Sequence, residues 1–319
     1  MRMLVVGAGS IGGLFGGRLA QVGRDVTFLV RASRAEQLRR DGLQILSPLG
    51  DATVRPKLLA SKDIHDPFDV VFLSVKAYSL ESAIADFAPA VSDDTMILPI
   101  LNGMKHMDTL VTHFGARAVI GGACKAATRL DKQGRIVQLT ELQDLAYGEM
   151  DNARSERVSR LDEFMQGAGF EARISQSIAL EMWQKWTLLA TLGGVTSLMR
   201  GNTGEIEAAH GGREFLTKFL NEVVSVIQAV GTPLGEAFIA ATTEALLKPG
   251  APTTSSLYRD LQDGNPVEAD QILGDLLQRA AKAGSRAPLI SAAYAHLCVY
   301  QNRLAAVRSP AVVKRPIPP

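Results

Sequence analysis

The chain has 319 residues, a formal net charge of +1, 46% hydrophobic and 21% charged residues. This length favours two domains over one core, and the composition excludes a disordered chain. The near-neutral balance leaves no overall field to recruit nucleic acid or an anionic membrane.

The first segment, Met3–Val6, reads as a buried strand. A Gly-x-Gly-x-x-Gly fingerprint follows at Gly7, Gly9 and Gly12, and a helix over Leu14–Val22 comes next. In such a unit the glycines allow a tight turn, close approach of backbone to a pyrophosphate, and tight helix–strand packing. The N–H groups at Ser10, Ile11 and Gly12 then face the phosphates. The stretch is too rich in Gly to be a secretory signal, and no later run reaches the roughly 18 apolar residues that span a bilayer. The expected location is the cytoplasm, which two distant cysteines, Cys124 and Cys298, also suit. The five histidines show no ligand spacing, so no metal is expected.

Val26–Val30 reads as the second strand. It runs into Arg31-Ala-Ser33-Arg34 with no acid before Glu36, while Asp25 precedes the strand. NAD-preferring sites place an acid at that C-terminal end to accept from the ribose 2′-hydroxyl. Arg31, with Ser33 and Arg34 in support, suits a 2′-phosphate, so NADP(H) is the expected cofactor.

Val70–Val75 and Met96–Leu101 read as further strands, with shorter ones at Ala118–Ala123, Ile136–Leu139 and Ala146–Gly148. The sheet is expected to end near Glu171–Ile174. Beyond Ser177 helical periodicity takes over, in Ile178–Leu192, Arg213–Val230, Leu234–Leu247, Pro266–Ala283 and Pro288–Val307. The expected fold is thus an α/β Rossmann-type doubly wound sheet over 1–175, then an all-α domain over 176–309 for substrate and self-association. A flexible tail is expected over 310–319.

Several segments together resemble one family. They are Val75-Lys76-Ala77-Tyr78, Leu101-Asn102-Gly103-Met104, Glu181-Met182-Trp183-Gln184-Lys185-Trp186, Ser255-Ser256-Leu257 with Asp260, and Glu268. In order and spacing they are similar to the ketopantoate reductases (2-dehydropantoate 2-reductases) of pantothenate biosynthesis, across nearly the whole chain. The resemblance implies that Lys185 is the general acid that protonates the substrate keto oxygen as hydride arrives from NADPH. It implies that Glu268 contacts Lys185 or the substrate hydroxyl, that Ser256 and Asn102 hold substrate and nicotinamide, and that Lys76 lies near the cofactor. It further implies a 2-oxo acid substrate, with ketopantoate foremost, and by analogy a homodimer.

Simpler readings stand beside these. Lys185 fits an exposed helix lysine, Lys76 a solvent lysine, Asn102-Gly103 a turn pair, and Ser256 a helix start. Glu268 fits a capping box opened by Asn265 with Pro266 in the first helical position. The family places asparagines four and eight residues after its lysine and one before the next Gly-Glu. This chain has Leu189, Gly193 and Thr203 there. These departures point towards a different or more apolar 2-oxo compound, or a repositioned pocket. They also leave two alternatives open: a related 3-hydroxy-acid dehydrogenase, and an NADP(H)-binding sensor without turnover.

Overall fold

The computed structural model describes residues 1–231 and 233–308, so the tail expected over 310–319 lies outside the described residues. Two compact units divide between Met182 and Trp183.

The first unit runs β1 (Arg2–Val6), α1 (Ser10–Gln21), β2 (Asp25–Leu29), α2 (Ala32–Asp41), β3 (Leu43–Leu46), β4 (Ala52–Val54) and β5 (Lys57–Leu59). It continues through β6 (Val70–Leu73), α3 (Leu80–Phe87), β7 (Met96–Pro99), α4 (Lys105–Phe114), β8 (Gly121–Leu130), β9 (Ile136–Gly148), α5 (Glu156–Met165) and β10 (Glu171–Ile174). Five strands form a wholly parallel sheet in the order β5-β2-β1-β6-β7. Its strand order reverses beside β1, and in doubly wound sheets ligands bind at that switch point, beyond the C-terminal ends of the strands. All four residues of β6 and of β7 are buried. Each such aliphatic or aromatic side chain contributes about 1.5–3 kcal/mol relative to exposure.

The remaining strands form a second sheet, β10-β9-β3-β4, with β8 antiparallel to β9. This corrects the expectation of one sheet ending near residue 174, because β10 pairs with β9 instead. The long β8–β9 hairpin replaces the three short strands expected there. Its strands carry Lys125, Thr128, Arg129, Gln138, Glu141 and Asp144, which break any continuous apolar run. The turn is specified locally: Asp131 Oδ1 accepts from the N–H groups of Gln133 and Arg135, and Gly134 takes a φ of +75°.

Helix α1 packs against both sheets, and its glycines allow this. A Cβ on Gly16 would stand 2.8 Å from Phe28 and 2.9 Å from Val5 of the parallel sheet. A Cβ on Gly13 would stand 2.4 Å from Ile136, and one on Gly17 2.7 Å from Leu43, both in the second sheet. Each helical glycine costs roughly 1 kcal/mol in intrinsic propensity, which close packing on two faces offsets.

Helix α6 (Ile178–Met199) crosses the division between the units. The second unit continues with α7 (Thr203–Ala208), α8 (Gly212–Val230), α9 (Glu236–Leu246), α10 (Ser256–Gln262), a π-helical turn Asp270–Gly274, α11 (Asp275–Lys282) and α12 (Pro288–Arg308). Among its described residues there is no strand. Leu216, Phe219, Leu220, Val223 and Ile227 form the buried stripe of α8 at helical spacing. Gly194 of α6 admits the Phe219 ring, which would stand 2.1 Å from a Cβ there. Among the described residues no helix is long and apolar enough to cross a membrane.

Candidate active site

Gly7 follows β1 with a φ of +96°, a backbone state that disfavours other residues. A Cβ on Gly12 would lie 2.3 Å from Gly7 O and 2.0 Å from Ser74 Oγ, so this position seals the turn against the helix. Around Gly9 the space is open, with no atom within 4 Å of the Cβ position. Gly9 caps α1 without a side-chain hydrogen bond, and the first turn of α1 holds no acid. The N–H groups of Ser10, Ile11 and Gly12 have no i−4 carbonyl within the helix. An open approach, free amides and the positive end of a helix suit an anionic pyrophosphate. The residues present therefore fit a dinucleotide.

Sequence reading missed Ser74, at the end of β6. Its hydroxyl donates towards the carbonyls of Val6 and Gly7, at 3.2 and 3.0 Å, and pins the fingerprint turn. The single polar residue in the run Val-Val-Phe-Leu-Ser-Val was the available signal.

Arg31 occupies the cap position of α2, beyond the C-terminal end of β2, and is exposed. Its guanidinium lies 3.5 Å from Ser82 Oγ. Arg34, grouped with it above, serves a different purpose. It donates to Ala8 O at 3.2 Å, Gly134 O at 2.8 Å and Gln37 Oε1 at 2.6 Å, and partial burial lowers its pKa. Asp25 opens β2 and pairs with Lys57 at 2.8 Å, away from the ribose end.

Lys76 follows β6, exposed, at the start of a short 3-10 turn (Ala77–Ser79). Asn102 follows β7 and is half-buried, with Gly103 at a φ of +79° completing the turn. Gly7, Arg31, Lys76 and Asn102 thus follow four neighbouring strands and share the C-terminal edge of the parallel sheet.

In the second unit, Lys185 lies on α6, half-buried between Trp183 and Trp186 in sequence. The two indoles lie 5.2 Å apart, and the Arg279 guanidinium sits 5.9 and 5.8 Å from them. Trp186 is fully buried, and its Nε1 donates to Ile272 O at 2.9 Å within the π-helical turn. Such turns are rare and concentrate at functional sites. Glu268 stands immediately before this turn and is only 8% exposed. A carboxylate buried to that degree persists only where polar or cationic groups face it.

The capping-box reading of Glu268 does not match the helix, since residues 265–268 precede its first turn. Asn265 accepts at its carbonyl from the Tyr300 hydroxyl, the regular turns begin at Ala269, and Glu268 O accepts the N–H of Ile272. Pro266 therefore lies outside the helix. Ser256 is the first residue of α10, capped by Ser255, whose side chain accepts from the N–H of Tyr258. Ser255 Oγ also lies 3.0 Å from Thr196 Oγ1 of α6. The elements bearing Lys185, Ser256 and Glu268 are therefore direct neighbours.

Comparison with known proteins places the chain in a family. Residues 3–152 match the model of the family described as ketopantoate reductase PanE/ApbA, and residues 177–301 match that of its C-terminal domain. The chain is 35% identical over 301 residues to the uncharacterized oxidoreductase YkpB of Bacillus subtilis, covering 94% of this chain and 99% of that one. It is 25% identical over 305 residues to the 2-dehydropantoate 2-reductase of a Nostoc species, covering 94% and 95%. The crystal structure of 2-dehydropantoate 2-reductase from Methylococcus capsulatus superposes with a TM-score of 0.84 at 26% identity, covering 96% and 98%. The chain belongs to the ketopantoate reductase family and is an oxidoreductase of a kind that is NADP-dependent.

Proposed function

We propose that the protein reduces a 2-oxo acid to the corresponding 2-hydroxy acid with NADPH, with 2-dehydropantoate, the substrate in the names of its relatives, as the reference compound. The carrying observation is that α6, which bears Lys185, is tied by the Trp186 Nε1–Ile272 O hydrogen bond to the π-helical turn that follows the buried Glu268. Gly7, Gly9, Ser10, Ile11 and Gly12 would hold the pyrophosphate, Arg31 the 2′-phosphate, and Lys76 and Asn102 the nicotinamide half. The bound cofactor supplies a hydride equivalent.

Hydride addition at C2 leaves negative charge on the keto oxygen, and an ammonium at Lys185 both stabilises that charge and delivers a proton to it. Glu268 orients the ammonium, and Ser256 holds the acid in place. The cytoplasm is the proposed compartment, which the sparse and widely separated Cys124 and Cys298 suit.

The test is NADPH oxidation by wild type and Lys185→Ala across a panel of 2-oxo acids. Loss of about 10²–10⁴-fold in kcat, with partial rescue by small primary amines, is expected. Undiminished turnover by Lys185→Ala would remove the lysine from the mechanism.

A further inference from the structure

The face of α6 that carries Lys185 holds no hydroxyl, amide or charge over the next two turns. At about 100° per residue, Leu188, Leu189, Leu192 and Gly193 follow Lys185 on that face. The leucines are half-buried, and Gly193 opens a notch. A Cβ there would meet only Leu257 and Ile272, each at 3.9 Å, which is ordinary contact distance.

The hydroxyls of α6 are directed elsewhere. Thr187 lies on the opposite side and donates to Trp183 O at 2.9 Å. Thr191 and Ser197 point about 120° away on either side, and their buried oxygens have no hydrogen-bond partner. Thr196 returns to the face of Lys185 but bonds Leu192 O and Ser255 Oγ, at 2.5 and 3.0 Å. Thr203 is buried in α7, with its hydroxyl 3.3 Å from Ala251 O.

From this disposition we infer that the protein acts on 2-oxo acids whose C3 substituent is apolar and lacks a hydroxyl. The inference rests on the assignment of Lys185 as proton donor at the keto oxygen. The carboxylate and keto oxygen meet the polar groups, while the substituent lies along Leu189 and Leu192 towards the notch at Gly193. A substrate hydroxyl placed there exchanges its water for hydrocarbon and gains no partner. A site built to bond that hydroxyl would instead reject the analogue lacking it by several orders of magnitude.

Two acids that differ by this one group decide the matter: 2-dehydropantoate, and trimethylpyruvate, which has hydrogen in place of its hydroxyl. With wild type and saturating NADPH, kcat/KM for trimethylpyruvate is expected to equal or exceed that for 2-dehydropantoate. Leu189→Asn should move the ratio towards 2-dehydropantoate by about tenfold or more. Gly193→Ala, whose added methyl meets no clash, should depress turnover of the bulkier phenylglyoxylate more than that of trimethylpyruvate. Any preference of wild type for 2-dehydropantoate overturns the inference and leaves the reductase assignment standing. NADPH binding without oxidation by any of the three acids removes the reductase assignment, and the inference with it.

Discussion

Gly9 and Gly12 stand three residues apart in one fingerprint and respond to opposite pressures. A methyl group at Gly12 collides with Gly7 O and Ser74 Oγ, so Gly12→Ala should lower stability by about 1–3 kcal/mol and weaken NADPH binding with it. A methyl at Gly9 meets nothing in the protein. Gly9→Ala should therefore melt within a degree or two of wild type yet bind NADPH about tenfold or more weakly. Thermal unfolding and cofactor titration of both variants check this, and a Gly9→Ala protein with unchanged affinity would contradict the pyrophosphate assignment. The fingerprint could be read from sequence because its constraints lie within ten residues. The roles of Ser74 and Arg34 could not, since each acts through main-chain carbonyls contributed by distant segments.

At the scale of elements, the join between β9 and α5 is electrostatic. Glu149, just past β9, accepts from Arg157 Nε at 2.7 Å, Arg157 Nη2 at 2.6 Å and Ser155 Oγ at 2.6 Å. The bidentate Arg157 contact, against the cost of partial burial, holds the Glu149 carboxyl below its usual pKa. A carboxylate depressed in the folded state adds stability above its unfolded pKa of about 4.3, and that contribution fades as pH falls through the lower folded value. Glu149→Gln should cost about 1.5–3 kcal/mol near neutrality, and the gap to wild type should shrink as the medium is acidified below about pH 4. Denaturant unfolding at several pH values tests the sign, and a gap that widens in acid would refute the assignment. Elements of this kind are hard to read in sequence. Helix α7 is six residues long and rests on the reciprocal Asn202–Glu205 cap, and α10 is seven residues long and rests on Ser255. Neither is long enough to display a helical period. The Asn265–Glu268 spacing imitates such a cap, but the helical turns begin only at Ala269, and the Asn265 N–H donates to Asp260 O at 2.8 Å.

Over the whole molecule, the split between a parallel sheet and a helical half was legible because Met3–Val6 of β1, β6 and β7 are unbroken apolar runs and α8 shows a clear stripe. The second sheet was hidden because β9 gathers partners far apart in the chain. It pairs with β3 at Ile136–Val137, with β10 at Asp144–Tyr147 and with β8 along most of its length. Pairings of that range leave no local period. Within the candidate site, the family resemblance pointed to Lys185 and Glu268, but it could not foresee the Trp186–Ile272 hydrogen bond or the π-helical turn that receives it.

The same second sheet makes Arg34 a coupling device. One guanidinium grips Ala8 in the fingerprint loop and Gly134 at the tip of the β8–β9 hairpin. Whatever steadies the loop must then restrain the tip. NADPH should slow amide hydrogen exchange across Gln133–Arg135, although those residues belong to a different sheet from the fingerprint, and Arg34→Gln should abolish the slowing. Thermodynamic reciprocity carries the influence back: a substitution that loosens the hairpin tip weakens NADPH by the same factor by which NADPH steadies the tip.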